Sequence, residues 1–248
     1  MQTLTFEPGG YRFVQGVFQY SAGIAPQPGY RLTRVMFREP VPLDEGFRQI
    51  QAIIQGAGRP LTSFAACELR SPAPFTEDGF RAFNEIYVGT LSRWGIFDGK
   101  TNPVARSNVC PAIAPPPVPS FYAFTFTEPG EAGAGEFVVA GSGEAPEAKG
   151  NYRDHTIRLG DVSPSGLREK ARYVLGEMER RMAALGYGWK DASAVQVYTV
   201  HDLHPFLAEE IATRGAARCG LTWQFCRPPV DVLDYEMDCR SVSTERLA

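Results

Sequence analysis

The chain has 248 residues, of which 44% are apolar and 21% charged, and carries a formal charge of -3 at pH 7. This is the balance of a soluble globular protein with a sizeable core; it gives no basic footprint for nucleic acid, and no apolar run reaches the roughly eighteen residues of a membrane span. Five cysteines with no metal-knuckle pair, and an N-terminus with no basic or apolar leader, point to reduced thiols in a cytoplasmic protein.

In chain order, Tyr11 to Tyr20 (YRFVQGVFQY) is rich in aromatic and β-branched residues and predicts a strand or hairpin, broken by Ser21-Ala22-Gly23. Arg31 to Phe37 alternates and reads as a strand. Asp44 offers an N-cap to a helix whose apolar face is Phe47, Ile50, Ile53 and Ile54, with Gly58 as its stop. Phe64 to Leu69 reads as a short strand, and Phe80, Phe83, Ile86, Tyr87 and Leu91 predict a second amphipathic helix. Phe121 to Thr127 is an alternating strand, and Glu128 to Gly135, with three glycines and a proline, reads as a linker. Beyond it the order repeats: a strand from Phe137 to Ala140 ending in the turn Gly141-Ser142-Gly143, then a helix from Ser163 or Ser165 to Leu185, stopped by Gly186. A strand from Ala194 to Val200, a helix from Leu203 to Ala212, and strands from Leu221 to Cys226 and Val232 to Cys239 complete it. Overlaying the halves puts Gly58 on Gly186 and Cys110 on Cys226. The expected fold class is therefore α+β, two tandem units (residues 1–130 and 131–248), each a mixed sheet with two helices on one face. The other face of each sheet, left apolar, must pack on another unit or chain.

Between the second helix and Phe121 lies Asn102-Pro103-Val104-Ala105-Arg106-Ser107-Asn108-Val109-Cys110-Pro111. It places an arginine in a mostly apolar, strand-like segment. A guanidinium removed from water needs a partner, and its planar fork suits a carboxylate. Arg106 thus holds either the acid group of a small anionic ligand or a protein Asp or Glu.

The stretch Ala184 to Phe206 (ALGYGWKDASAVQVYTVHDLHPF), with Pro229-Val230-Asp231-Val232 and Tyr235-Glu236-Met237-Asp238, resembles the Rid (YjgF / L-PSP) superfamily; Phe83 to Tyr87 and Pro103-Val104-Ala105-Arg106-Ser107 in the first half resemble it too. The resemblance implies chorismate-mutase-like units assembled as homotrimers, with sites in clefts between units and hydrolysis of reactive enamines or imines to keto acids and ammonia. It implies Arg106, accompanied by Ser107, as the carboxylate anchor, and Glu236 as the acid of the final strand. The second half has no arginine at the matching Gly220 to Thr222, and the first has no acid in Phe121 to Thr127, so the sites are composite or one unit is a scaffold.

Imine hydrolysis needs an anchor, donors that polarise the reacting carbon, and a placed water. Arg106 is the expected anchor. Backbone N–H groups near Ser21 and Gly23, or Cys110, complete the pocket, Asn84 or Asn108 orients the water, Tyr20 lines it, and Glu236 activates the water unless it is simply an exposed acid. His201 and His204 lack a third ligand, so neither a metal nor another cofactor is expected. The reading is a hydrolase or deaminase of a small carboxylate-bearing enamine or imine, a 2-imino acid or an aminomuconate-like compound. A non-catalytic metabolite-binding or regulatory protein, and a chorismatase-like hydrolase, stay open beside it.

Overall fold

Strand alternation decides which side chains meet helices and which meet a second sheet. A computed structural model describes residues 1–131, 133 and 135–248. The chain runs through β1 (Thr3–Phe6), β2 (Tyr11–Val14), β3 (Gly23–Pro26), β4 (Tyr30–Pro42), α1 (Leu43–Gly56), β5 (Phe64–Arg70), α2 (Glu77–Arg93), β6 (Ala105–Pro111) and β7 (Ser120–Pro129). It continues through β8 (Phe137–Gly143), α3 (Pro164–Leu185), β9 (Ala194–Tyr198), α4 (His204–Phe206), β10 (Thr222–Gln224), β11 (Cys226–Arg227), β12 (Glu236–Ser241) and β13 (Thr244–Leu247).

These strands form two mixed sheets, ordered β1-β2-β3-β8-β12-β9-β10 and β11-β6-β5-β7-β4-β13. Strands cross the 130/131 boundary in both directions: β3 pairs with β8, β11 with β6, and β13 with β4. Of the expected linker, Glu128 and Pro129 belong to β7, while Ala132 and Ala134 lie outside the described residues.

Each sheet carries helices on one face. Val35, Phe64, Leu69 and Phe124 pack beneath Phe47, Ile50, Phe83 and Tyr87 of α1 and α2. Val139, Val197, Met237 and Cys239 pack beneath Val174, Met178 and Met182 of α3. The remaining faces meet each other through Tyr11, Phe13, Ile24, Ala66, Ala105 and Ala140, so the faces expected to need a neighbour cover one another within the chain. Toward one end this inner layer turns polar. Arg34 forks onto Glu68 (Nε–Oε1 2.7 Å, Nη2–Oε2 3.0 Å), and Asp238 accepts from Ser107 Oγ (2.5 Å), Tyr198 Oη (2.8 Å) and Gln196 Nε2 (2.9 Å).

Several expected elements differ in extent. Pro42, not Asp44, occupies the cap of α1, and Asp44 falls in the first turn. Gly141 to Gly143 is the end of β8 rather than a turn. The expected helix from Leu203 becomes the short α4 followed by a π turn over Leu207–Ala212, where Thr213 N–H reaches back to Ala208 O. β12 begins only at Glu236, because the N–H groups of Asp234 and Tyr235 donate to the Glu144 carboxylate instead of a neighbouring strand. The hairpin reading of Tyr11 to Tyr20 holds only to Val14; the turn that follows, bridged at Val17 and Tyr20, carries the Tyr20 ring toward Arg106.

Candidate active site

β6 lies near the margin of its sheet, where only the two-residue β11 pairs with its far end. Its alternation sends Ser107 into the layer between the sheets and turns Arg106 toward α2. Arg106 is 3% exposed, and its guanidinium carbon sits 4.8 Å from the centre of the Tyr87 ring, 5.4 Å from that of Tyr20 and 5.7 Å from those of Phe80 and Phe83. None of its three guanidinium nitrogens has a hydrogen-bond partner among the described residues. The reading of Arg106 as one half of a hydrogen-bonded protein ion pair is therefore set aside. Ring faces attract a cation by roughly 0.5 to 2 kcal/mol each, but they leave its donors unused.

Those donors border a cavity of about 30 Å³, lined also by Tyr20, Asn108, Gly141, Glu147 and Glu236. Asn108 accepts from Ser71 Oγ through Oδ1 (2.9 Å), while its Nδ2 has no partner among the described residues. Glu236 enters from β12, so the two halves of the chain supply one composite site. A side chain at Gly141 would collide with the Glu236 carboxyl and crowd the Ser107 Cα at 3.3 Å, which is why the intervening strand carries none there. Glu236 is not an exposed acid. It is 4% exposed, and burial, reinforced by the nearby Asp238 and Glu144 charges, raises its carboxyl well above the ordinary range. A carboxyl raised in this way holds its proton to higher pH than an ordinary one.

The cavity wall is braced from below. Arg181, fully buried in α3, donates to Glu147 Oε1 (2.7 Å) and to Ala140 O (3.0 Å), and Tyr20 Oη donates to the same Glu147 oxygen (3.0 Å). Burial first, then the Glu147 charge, raises the Tyr20 hydroxyl and takes that of Tyr152 to about 12. Tyr20, Phe80, Glu147 and Tyr152 also line a second chamber of about 340 Å³ on the outer side of this wall.

Of the residues expected at the site, Arg106, Asn108, Tyr20 and Glu236 come together. The others stand away from the lining. Ser107 is committed to Asp238, and Ser21 ties its turn to β6 through Pro103 O (2.9 Å) and Val104 O (2.8 Å). Gly23 lies in β3 opposite Val139. Asn84 is buried within α2, and Cys110 faces Arg227 of β11, its thiol pushed by burial to about 12. His201 and His204 face different acids, Asp234 (3.5 Å) and Asp202 (2.6 Å).

Sequence reading missed Glu147 and Tyr152, which lie in a stretch with no apolar period. Arg181 left a trace, since it follows Met178 by three residues on the buried stripe of α3, where a charge requires a partner.

The fold is α+β, with a small cavity onto which the Arg106 guanidinium and the Glu236 carboxyl both border. Among solved structures the fold is similar to a chorismatase (TM-score 0.51, 11% identity, 98% of this chain and 80% of that one); a cyanuric acid hydrolase from A. caulinodans aligns at TM-score 0.43 and 15% identity, over 89% and 69%. The chain belongs to the 2-aminomuconate deaminase family CnbZ, which matches residues 3–246, and is thus a deaminase acting on C–N bonds. It is 49% identical over 244 residues to a 2-amino-5-chloromuconate deaminase of Comamonas testosteroni, covering 98% of this chain and 97% of that protein. This assignment overturns the resemblance to the Rid (YjgF / L-PSP) superfamily. The stretches behind it record a helix, strand and loop order, and such an order fixes local structure without fixing a family.

Proposed function

We propose that the chain hydrolyses the amino group of a small unsaturated 2-amino acid of the 2-aminomuconate class. The carrying observation is Arg106, a buried fork whose donors have no partner among the described residues and which borders the cavity. Substrate carboxylate takes that fork. Glu236 protonates the enamine carbon, leaving an iminium at C2. Water held by Asn108 Nδ2 adds there and returns a proton to Glu236, and the C–N bond then breaks to release ammonia and the 2-oxo acid. The names of the family and of the relative from C. testosteroni support this substrate class.

The test is ammonia release from freshly prepared 2-aminomuconate against a buffer control. Arg106→Ala should raise KM by an order of magnitude or more, because a charge-assisted hydrogen bond contributes about 1.5 to 3 kcal/mol. No acceleration by the wild type would leave a metabolite-binding protein as the reading, and unchanged kinetics in the variant would remove Arg106 as anchor. The chorismatase likeness is one of fold alone, and pyruvate release from chorismate tests it directly. A cytoplasmic location, supported by five free thiols, and a homotrimer belong to the same proposal. The apolar side chains Ile113 (75% exposed) and Phe225 (50%) near the β6–β11 pairing support an assembly. Light scattering from a stable monomer would overturn it.

A further inference from the structure

Two polar groups flank the bond that a deaminase breaks, a carboxylate and an amino group, and Arg106 answers only the first. The nitrogen carries N–H donors and, once the neighbouring carbon is protonated, a positive charge, so it calls for a charged acceptor close to the anchored carboxylate. Few side chains lining the cavity have one to give. Asn108 Oδ1 already accepts from Ser71, and Ser142 Oγ accepts from Arg181 (3.2 Å). Glu236 is the proton donor of the proposed reaction, and the Tyr152 hydroxyl, raised to about 12, bears no charge at neutral pH.

Glu147 is the remaining acid, and its two oxygens are used unequally. Tyr20 Oη (3.0 Å) and Arg181 Nη2 (2.7 Å) both donate to Oε1, while Oε2 has no donor among the described residues. Buried carboxylates that serve the fold share out both oxygens: Glu68 across the Arg34 fork, Glu144 between Lys170 and two backbone N–H groups, Asp238 among three side chains. The Glu147 side chain is 21% exposed and borders both the cavity and the second chamber. Its bonded oxygen is fixed from both sides. Arg181 is itself held by the carbonyls of Ala140 (3.0 Å) and Gly141 (3.3 Å), and the Tyr20 ring lies 5.4 Å from the Arg106 guanidinium carbon, so one tyrosine links anchor and acid.

We propose that Glu147 is a further catalytic residue whose Oε2 accepts the N–H of the substrate's amino group while Arg106 holds the adjacent carboxylate. The inference rests on the deaminase reading of the cavity and adds to it the residue that receives the group to be removed. No proton changes hands at Glu147. It stays a carboxylate throughout, and its charge steadies the iminium that forms when the carbon is protonated. The 2-oxo product carries a carbonyl oxygen where the nitrogen stood, and that oxygen meets Oε2 acceptor against acceptor, so the same contact favours the substrate over the product.

The test compares two stable planar acids, pyrrole-2-carboxylate and furan-2-carboxylate, which place an N–H donor and a bare oxygen, respectively, on the carbon that bears the carboxylate. Their Kd values are measured by calorimetry on the wild-type protein, on Glu147→Gln and on Glu147→Ala. In the glutamine variant Arg181 and Tyr20 keep the amide oxygen on their side, so an NH2 donor stands where Oε2 was. Wild type should bind the pyrrole acid roughly tenfold or more tightly than the furan acid. Glu147→Gln should reverse that preference, and Glu147→Ala, which offers neither acceptor nor donor, should level it. A purely structural role would shift both affinities by the same factor and leave the ratio alone. Equal wild-type affinities, a ratio unchanged in the variants, or binding of neither probe would overturn the proposal. Ammonia release from 2-aminomuconate by the wild type is scored separately. Turnover without the pyrrole preference sinks only the role of Glu147, and preference without turnover sinks only the chemistry.

Discussion

Two regions of this molecule bury charged side chains, and they treat them in opposite ways. In the layer between the sheets Arg34 and Asp238 are both held by partners from the protein itself. Arg34 forks onto Glu68, and Asp238 collects three donors. In the cavity beside β6, three Arg106 nitrogens and the Asn108 amide nitrogen have no hydrogen-bond partner among the described residues, and burial raises the Glu236 carboxyl well above the ordinary range. The first arrangement is self-sufficient and serves the fold. The second leaves donors over for a ligand, since the aromatic faces around Arg106 do not use its N–H groups.

Substitutions that exchange activity for stability sharpen this contrast. The largest effect is expected from Glu236→Gln, which should lower kcat roughly a hundred- to ten-thousand-fold, the usual range for a lost general acid, with little change in KM. Its stability should move the other way. A carboxyl raised in the folded state stabilises it only while protonated, so the wild type loses stability as pH climbs above the ordinary carboxylate range toward the folded value. The glutamine variant does not. Melting curves from pH 4 to 9 should show the two proteins level at the acid end and the variant increasingly ahead above it; parallel curves would place Glu236 in a less perturbed site.

Next in size, Arg34→Ala leaves Glu68 buried without its fork and should cost roughly 3 to 5 kcal/mol of unfolding free energy in urea. Here the carboxylate sits at about 2: burial pushes it up, but Arg34 and Arg240 outweigh burial. Tyr198→Phe removes one of three donors to Asp238 and should cost about 0.5 to 1.5 kcal/mol by the same measurement. The smallest effect is that of Arg106→Met on stability, a change within about 1 kcal/mol because no hydrogen bond is lost. A large destabilisation there would mean that the cavity, too, belongs to the fold.

Local chemistry was legible in the sequence and long-range pairing was not. Ser163 caps α3 and the left-handed Gly186 ends it, as their positions before and after the apolar stripe require. Arg106 was visible as a charge in an apolar strand. No local pattern could announce that β3 joins β8 or that β13 runs parallel to β4, because such partners are set by the packing of whole sheets. The same limit explains why Ser21 and Gly23 were expected at the site: Ser21 instead braces the backbone leading into β6, and Gly23 pairs with β8. The misassigned family has the same origin, for an order of helices and strands is shared far more widely than a set of cavity residues.

The Glu144 carboxylate, which accepts from the first two N–H groups leading into β12 and from Lys170 Nζ at 3.2 Å, stands three positions before Glu147 in the chamber wall. Only Ala145, itself buried, and the stiff Pro146 lie between them. The chamber wall at Glu147 and the seat of the strand that carries Glu236 are therefore tied together by two residues of backbone.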